Sequence, residues 1–172
     1  TKCFRHGRNN QAQVAFQIRG IGAVDHQALT PTAAAVYADG VFQATNVDKT
    51  FAHMKDLGFD GDPPKAFTRP VELPDGVKDA AFRTVAVRND VFPGGRVYYC
   101  EHRTPELVWR PEWQSHGNGA SSMPEFIIVS NDHEREASDF ARLLNSDVSG
   151  SNGCLAVAYQ GGQLTLMSPA SY

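Results

Sequence analysis

The side chains best able to do chemistry lie close together near the middle of the chain. Glu101 and His102 are neighbours, and either could act as a general acid or base. They follow a run that is typical of a β-strand, in which adjacent side chains point to opposite faces. We therefore predict that Glu101 and His102 are catalytic candidates that cannot form a direct acid–base pair. Each of them should lie on a different face of the sheet to which this strand belongs.

An aromatic segment follows a few residues later. Trp109 and Trp113 flank Arg110, so the segment could form the aromatic wall of a ligand pocket, with an arginine for a carboxylate or a phosphate. The alternative is a structural plug between two halves of the protein, with Arg110 paired to Glu106 or Glu112. Both hypotheses stay open at this point.

Three further residues complete the predicted ligand-binding set. His116 and Asn118 lie in a Gly-rich loop, which is a common place for binding residues, although a loop-stabilising hydrogen bond explains His116 equally well. Tyr99 shares a strand face with Glu101. Cys100 is more typical of a buried structural thiol than of a nucleophile.

Composition and charge narrow the class of protein. The chain has 172 residues, of which 41% are apolar, and a formal net charge of −3. It is long enough for one domain or two fused half-domains, and its charge does not favour binding to nucleic acid or to a membrane surface. Three cysteines without a CxxC pair do not indicate a disulfide framework or a zinc site. We expect a cytoplasmic protein.

The hydrophobic pattern indicates an internal repeat. Residues 41–45 are typical of a strand, Asn46 of a helix N-cap and Gly58 of a helix end. Phe51, Met54 and Leu57 share one helix face in between.

A second segment repeats this order. Residues 126–130 form a strand-like run, and a helix with Phe140 and Leu143 on one face follows. The strands are offset by 85 residues and the helix faces by 86, which predicts a one-residue insertion at the strand-to-helix turn.

Two Gly-Gly pairs predict hairpin turns. Gly94-Gly95 and Gly161-Gly162 lie between strand-like runs. Each half therefore has the order strand, helix, strands with a hairpin. The fold class is α+β, with paired βαβββ modules at residues 38–113 and 114–172. Residues 1–37, with one expected strand at residues 13–18, fit neither half and are consistent with the tail of a preceding module.

A family resemblance rests on the middle of the chain. Residues 100–113 read CEHRTPELVWRPEW, and this stretch resembles one in bacterial glyoxalase-like domain proteins of the vicinal oxygen chelate superfamily. Residues 114–120 continue the likeness. The resemblance implies a cupped sheet around a small-molecule cavity, and in the enzymes of the superfamily a divalent metal held by His and Glu.

The positions where the superfamily pattern places metal ligands differ in this chain. They correspond to Asp39, Tyr99, Pro124 and Leu166, of which only Asp39 could bind a metal, and one carboxylate does not make a site. We therefore expect no bound metal and no other cofactor.

Two functions are compatible with these residues. The first is a small-molecule-binding protein without the usual metal site. The alternative is a lyase or isomerase for a small anionic substrate, with Glu101 or His102 as the base and Arg110 holding the anion. Because such modules have open sheet edges, we also expect a homodimer.

Overall fold

The computed structural model describes residues 39–119, 121–122, 124–151 and 153–172. The strand expected at residues 13–18 and the module boundary expected between residues 37 and 38 lie outside these ranges.

The described chain forms two groups of elements in the same order. The first contains β1 (Asp39–Gln43), α1 (Val47–Leu57), β2 (Lys65–Leu73), β3 (Gly76–Ala86) and β4 (Arg96–His102). Two short 3-10 helices, Pro105–Leu107 and Pro111–Trp113, follow. The second group contains β5 (Glu125–Val129), α2 (His133–Leu144), β6 (Val148–Ser151), β7 (Cys154–Tyr159) and β8 (Gly162–Met167).

Each group builds one four-stranded mixed sheet. The strand orders are β1-β4-β3-β2 and β5-β8-β7-β6. In each sheet the first strand pairs in parallel with the last one, and the other pairs are antiparallel. A parallel pair needs a crossover, which the helix supplies. The predicted α+β fold of paired βαβββ modules is confirmed.

The register of the two sheets shows that the expected one-residue insertion is wrong. Phe42 pairs with Tyr99, and Ile128 pairs with Leu166 in the same place of the second sheet. Phe42 and Ile128 are 86 residues apart, as are the first residues of α1 and α2. The strand offset of 85 aligned the apolar runs one residue out of register, because both faces of these strands carry apolar residues.

The two predicted hairpin turns differ. Gly161, with φ of 98°, lies in a tight turn between β7 and β8, where the left-handed backbone favours glycine. In the first half the predicted hairpin is present, since β3 and β4 pair in antiparallel fashion, but its connection, residues 87–95, is longer than a tight turn. This connection buries Phe92, whose ring stacks on Phe140 of α2 with centroids 4.1 Å apart.

Local signals at the ends of α1 agree with the sequence. The Asn46 side chain accepts a hydrogen bond from the Lys49 N–H at 3.0 Å, and Gly58 ends the helix with φ of 72°. At α2 the N-cap position is Asp132, whose side chain makes no capping hydrogen bond.

The two halves share one hydrophobic core, to which both helices contribute. The Phe42 ring of β1 lies 6.5 Å from the Phe140 ring of α2, and Arg142 donates a hydrogen bond to the carbonyl of Leu57. Val97 and Tyr99 of β4 point into this core. We call this side of the first sheet the helix-covered face. Tyr98 and His102 alternate with these residues and point to the other side, which we call the opposite face.

No helix in the described part of the chain is both long and apolar enough to cross a membrane.

Candidate ligand-binding surface

His102 lies on the opposite face of the first sheet, between two aromatic rings. The Phe82 ring meets it edge-on with centroids 5.1 Å apart, and the Trp109 ring stacks on it at 5.4 Å. The indole Nε1–H of Trp109 also donates a hydrogen bond to Nδ1 of His102, at 2.9 Å. The end of β4 and the first 3-10 helix therefore hold the imidazole from two sides.

These contacts determine what His102 can do chemically. Burial lowers the pKa of His102 below its ordinary value, so the ring is neutral at pH 7. Because Nδ1 accepts the Trp109 hydrogen bond, the proton of the neutral ring resides on Nε2. His102 therefore offers an N–H donor to a bound molecule, and its one ring lone pair is already engaged.

The aromatic contacts continue across the sheet to its edge strand. Phe67 of β2 and Phe82 of β3 are register partners, and their rings stack with centroids 5.3 Å apart. We call Phe67, Phe82, His102 and Trp109 the aromatic row. Its two end residues are open to solvent, with exposed fractions of 37% for Phe67 and 40% for Trp109.

A cation lies at the Phe67 end of the row. The Arg69 guanidinium is 5.5 Å from the Phe67 ring centroid, a cation–π distance. Arg69 makes no ion pair with the described residues. The row therefore combines ring faces, an N–H donor and an uncompensated positive charge.

Glu101 lies on the helix-covered face and has a structural task there. Its carboxylate accepts hydrogen bonds from the Val47 N–H at the start of α1, at 3.0 Å, and from Arg103, at 2.8 Å. Burial pushes the pKa of Glu101 up, but the Val47 hydrogen bond and the charges of Arg103 and Arg83 outweigh it, so the pKa lies below its ordinary value. Glu101 and His102 point to opposite faces, as strand alternation predicts. The catalytic role of either stays a prediction.

Tyr99 and Cys100 are buried in the sheet. Tyr99 belongs to the core, and its O–H donates a hydrogen bond to the Leu143 carbonyl at 3.3 Å. Burial raises the pKa of the Tyr99 phenol. Burial and the neighbouring Glu101 charge raise the pKa of the Cys100 thiol to about 11, so the thiol is protonated and unreactive at neutral pH. Tyr99 thus lies on the other face of the sheet from the aromatic row, and its ligand-binding role stays a prediction.

The other predicted binding residues lie in the two 3-10 helices and the loop after them. Of the two partners predicted for Arg110, Glu106 and Glu112, the structure pairs it with Glu112. The Arg110 guanidinium also lies 5.6 Å from the Trp113 ring centroid. His116 and Asn118 are exposed in the loop that leads towards β5. Their ligand-binding roles, and those of Arg110 and Trp113, stay predictions.

The sequence reasoning missed Phe67, Phe82 and Arg69. The signal that could have found the two phenylalanines is the turn at residues 74–75. Folding the chain back at this turn pairs Phe67 with Phe82, which places two aromatic side chains side by side on one face.

The residues present do not fit the divalent metal that the superfamily resemblance implies. Leu166 and Tyr99 are buried in the core, and Asp39 is the first residue of β1, in register with Arg96. In the second sheet Glu125 accepts hydrogen bonds from Gln163 and Thr165. Among the described residues no group of three or more His, Cys, Asp or Glu could hold a metal ion, and a stable site needs several converging ligands.

Comparison with solved structures supports the fold. The chain resembles a hypothetical protein from Staphylococcus aureus, with a TM-score of 0.61 at 7% identity, over 76% of this chain and 52% of that chain. The chain thus spans about half the length of that structure. A glyoxalase family protein from Bacillus cereus superposes with a TM-score of 0.40 at 11% identity, over 82% of this chain and 98% of that chain.

Comparison of the sequence gives the family. No curated protein matches the chain significantly. The family model of the glyoxalase-like domain matches residues 8–144, which is most of the chain and includes β1 to β5 and both helices. The chain therefore belongs to the glyoxalase-like domain family, within the vicinal oxygen chelate superfamily.

Proposed function

We propose that this glyoxalase-like domain binds a small, flat, anionic molecule on the aromatic row, without help from a metal ion. The observation that carries the proposal is the continuous series of ring contacts from Phe67 to Trp109. Both of its ends are exposed, although side chains of this type are usually buried. A flat ligand would cover the exposed ring faces and gain the favourable free energy of apolar burial and stacking.

The polar groups at the row determine which chemical groups the expected ligand should carry. The His102 Nε2–H suits a carbonyl or carboxylate oxygen, because the neutral ring donates there. The Arg69 guanidinium suits a carboxylate or another planar anion, which it can bind through two parallel N–H donors. An aromatic or conjugated carboxylate offers a flat ring for the row and a negative group for Arg69.

The alternative function, a lyase or isomerase, needs a general base beside the substrate. Glu101 points away from the row and is engaged by Val47 and Arg103. His102 has its lone pair in a hydrogen bond to Trp109, and Arg110 is paired with Glu112. None of the three residues is available for the role that the alternative requires, so binding is the function that we favour.

The direct test is titration with 2-naphthoate, followed by the amide and ring resonances of the protein. We expect the resonances of Phe82, His102 and Trp109 to shift on binding. Phe67→Ala removes one stacked ring and should weaken binding roughly fivefold, since such a ring contributes about 1 kcal/mol. Tyr172→Ala, which removes an exposed ring outside the row, is the control and should bind normally.

The contribution of the Arg69 charge to binding is tested in the same assay. Arg69→Gln should weaken binding of 2-naphthoate but not of the uncharged 2-naphthalenemethanol. Equal binding of 2-naphthoate by the wild type, Phe67→Ala and Arg69→Gln would contradict the proposal. Stoichiometric metal in the purified protein, or a clear thermal stabilisation by divalent ions, would contradict its metal-free part.

The expected homodimer and the expected cytoplasmic location stay predictions. Homodimerisation is checked by size-exclusion chromatography with light scattering, where a monomer at all concentrations would dismiss it. The cytoplasmic location is checked by fractionation of the native host cells.

A further inference from the structure

A groove of about 760 Å³ lies on the helix-covered side, between α1 and the end of α2. Its apolar floor comes from three buried residues, Ala44, Tyr99 and Leu143. The Tyr99 hydroxyl is already bonded to the Leu143 carbonyl, so this end of the floor presents no unused polar group. The volume is in the range of ordinary small-molecule sites.

The rim of the groove is polar. Lys49 and His53 lie four residues apart on α1, so their side chains are neighbours on one helix face. Asn145 and Gln160 line the groove from the second half of the protein. An apolar floor with a few convergent polar groups is the usual make-up of a ligand site.

The charge of the lining is entirely positive. Its residues include no aspartate or glutamate, and the side chain of Lys49 forms no ion pair with the described residues. The adjacent Asp48 is engaged by Arg83, through two hydrogen bonds of 2.7 and 2.9 Å. In a chain whose formal net charge is −3, the lining of this groove therefore carries the positive charge of Lys49 and no carboxylate.

We propose that the groove is a second ligand site, for a small anion with an apolar body. Its negative group, a carboxylate or a phosphate ester, would contact Lys49 and His53, while its apolar body would cover Ala44 and Leu143. The aromatic row lies on the other face of the first sheet, so the two sites can be occupied independently. This proposal stands or falls separately from the proposed function.

The test is an NMR titration with phenyl phosphate and, in parallel, with benzoate, using assigned amide resonances. We expect the amides of Ala44, Thr50 and Asn145 to shift together with at least one of the two probes. Benzyl alcohol, which keeps the ring and lacks the charge, should cause no such shifts. The probe that binds more tightly identifies the negative group as phosphate ester or carboxylate.

Matched lysine variants of α1 test the role of charge. Lys49→Gln should weaken binding roughly two- to fivefold, as expected for one exposed charge contact. Lys55→Gln makes the same change on the same helix, where the lysine lies over the Phe51 ring outside the groove, and should leave binding unchanged. His53→Gln gives a second, independent variant of the rim. Fold integrity of each variant is read from the same spectra.

Three results would overturn the inference. The first is the absence of groove shifts with both anions at millimolar concentration. The second is equal binding of benzyl alcohol and the anions, and the third is equal weakening by Lys49→Gln and Lys55→Gln. Shifts confined to Phe82, His102 and Trp109 would support the aromatic row alone and also count against the groove.

Discussion

Replacing Glu101 by glutamine tests whether this residue holds the fold together or serves a ligand site. In the structure its carboxylate binds the first N–H of α1 and the Arg103 guanidinium, and only 7% of the residue is exposed. Glu101→Gln keeps the shape and an oxygen for the Val47 N–H but removes the charge. We therefore expect a loss of stability rather than a loss of ligand binding.

The size of the loss follows from the two contacts. A hydrogen bond to a charged group contributes about 1.5–3 kcal/mol and a neutral one about 1 kcal/mol. The Arg103 side chain is 59% exposed, so that ion pair adds only about 0–1 kcal/mol. Glu101→Gln should thus lower the free energy of unfolding by about 1–2 kcal/mol at pH 7. For a chain of this length, each kcal/mol lowers Tm by roughly 2–4 °C.

The effect should depend on pH with a definite sign. The pKa of Glu101 is lower in the folded state than its ordinary value of 4.5, so its stabilising contribution is present above that value. The contribution is lost as the pH falls through the folded pKa, because the carboxylate then takes up a proton. The difference between wild type and Glu101→Gln should therefore shrink on acidification.

The assay is urea unfolding followed by circular dichroism, at pH 7 and at a series of acid pH values. Glu106→Gln, a change at an exposed position in the neighbouring 3-10 helix, is the control and should leave stability unchanged. The reasoning is refuted if Glu101→Gln is as stable as the wild type at pH 7, or if its deficit does not change with pH. Loss of 2-naphthoate binding at unchanged stability would instead place Glu101 in the ligand site.

Three further predictions concern individual residues. Burial raises the pKa of Glu136, so wild-type stability should fall as the pH rises from about 4.5 through the folded pKa; Glu136→Gln should lack this fall in urea unfolding, and an identical pH profile would show the reasoning to be wrong. Trp109→Phe keeps a stacked ring but removes the hydrogen bond that favours neutral His102, so the pKa of His102 should rise in an NMR titration, whereas Trp113→Phe should not change it. Asn46→Ala removes the N-cap hydrogen bond of α1 and should lower the free energy of unfolding by about 1 kcal/mol, measured by urea unfolding; no loss would mean that water replaces the cap.

Local order was predictable because it depends on neighbours in the sequence. The Asn46 cap, the glycine at the end of α1 and the repeated order of strand and helix follow from capping preferences and apolar spacing. The opposite orientations of Glu101 and His102 follow from strand alternation alone. The family resemblance likewise rests on a contiguous segment, residues 100–113.

Register and long-range packing were not predictable in the same way. The strand offset of 85 was wrong by one residue, because a run with apolar residues on both faces carries no alternation to fix its register. The hairpin at Gly94-Gly95 was predicted, but the length of its connection was not, because Phe92 in this connection packs on Phe140, a contact between distant parts of the chain. No local signal records such a contact.

The candidate sites also combine features that the sequence predicts with features that depend on long-range packing. The sequence by itself determined that Glu101, His102 and Trp109 lie in one segment, and that the metal positions implied by the resemblance lack a set of ligands. Only the tertiary structure decided that Trp109 folds back onto His102, that Phe67 and Phe82 extend this contact into a row, and that Glu101 binds the start of α1. The physical reason is that chemical type is a property of each residue, whereas burial, hydrogen-bond partners and pKa shifts arise between residues that the fold brings together.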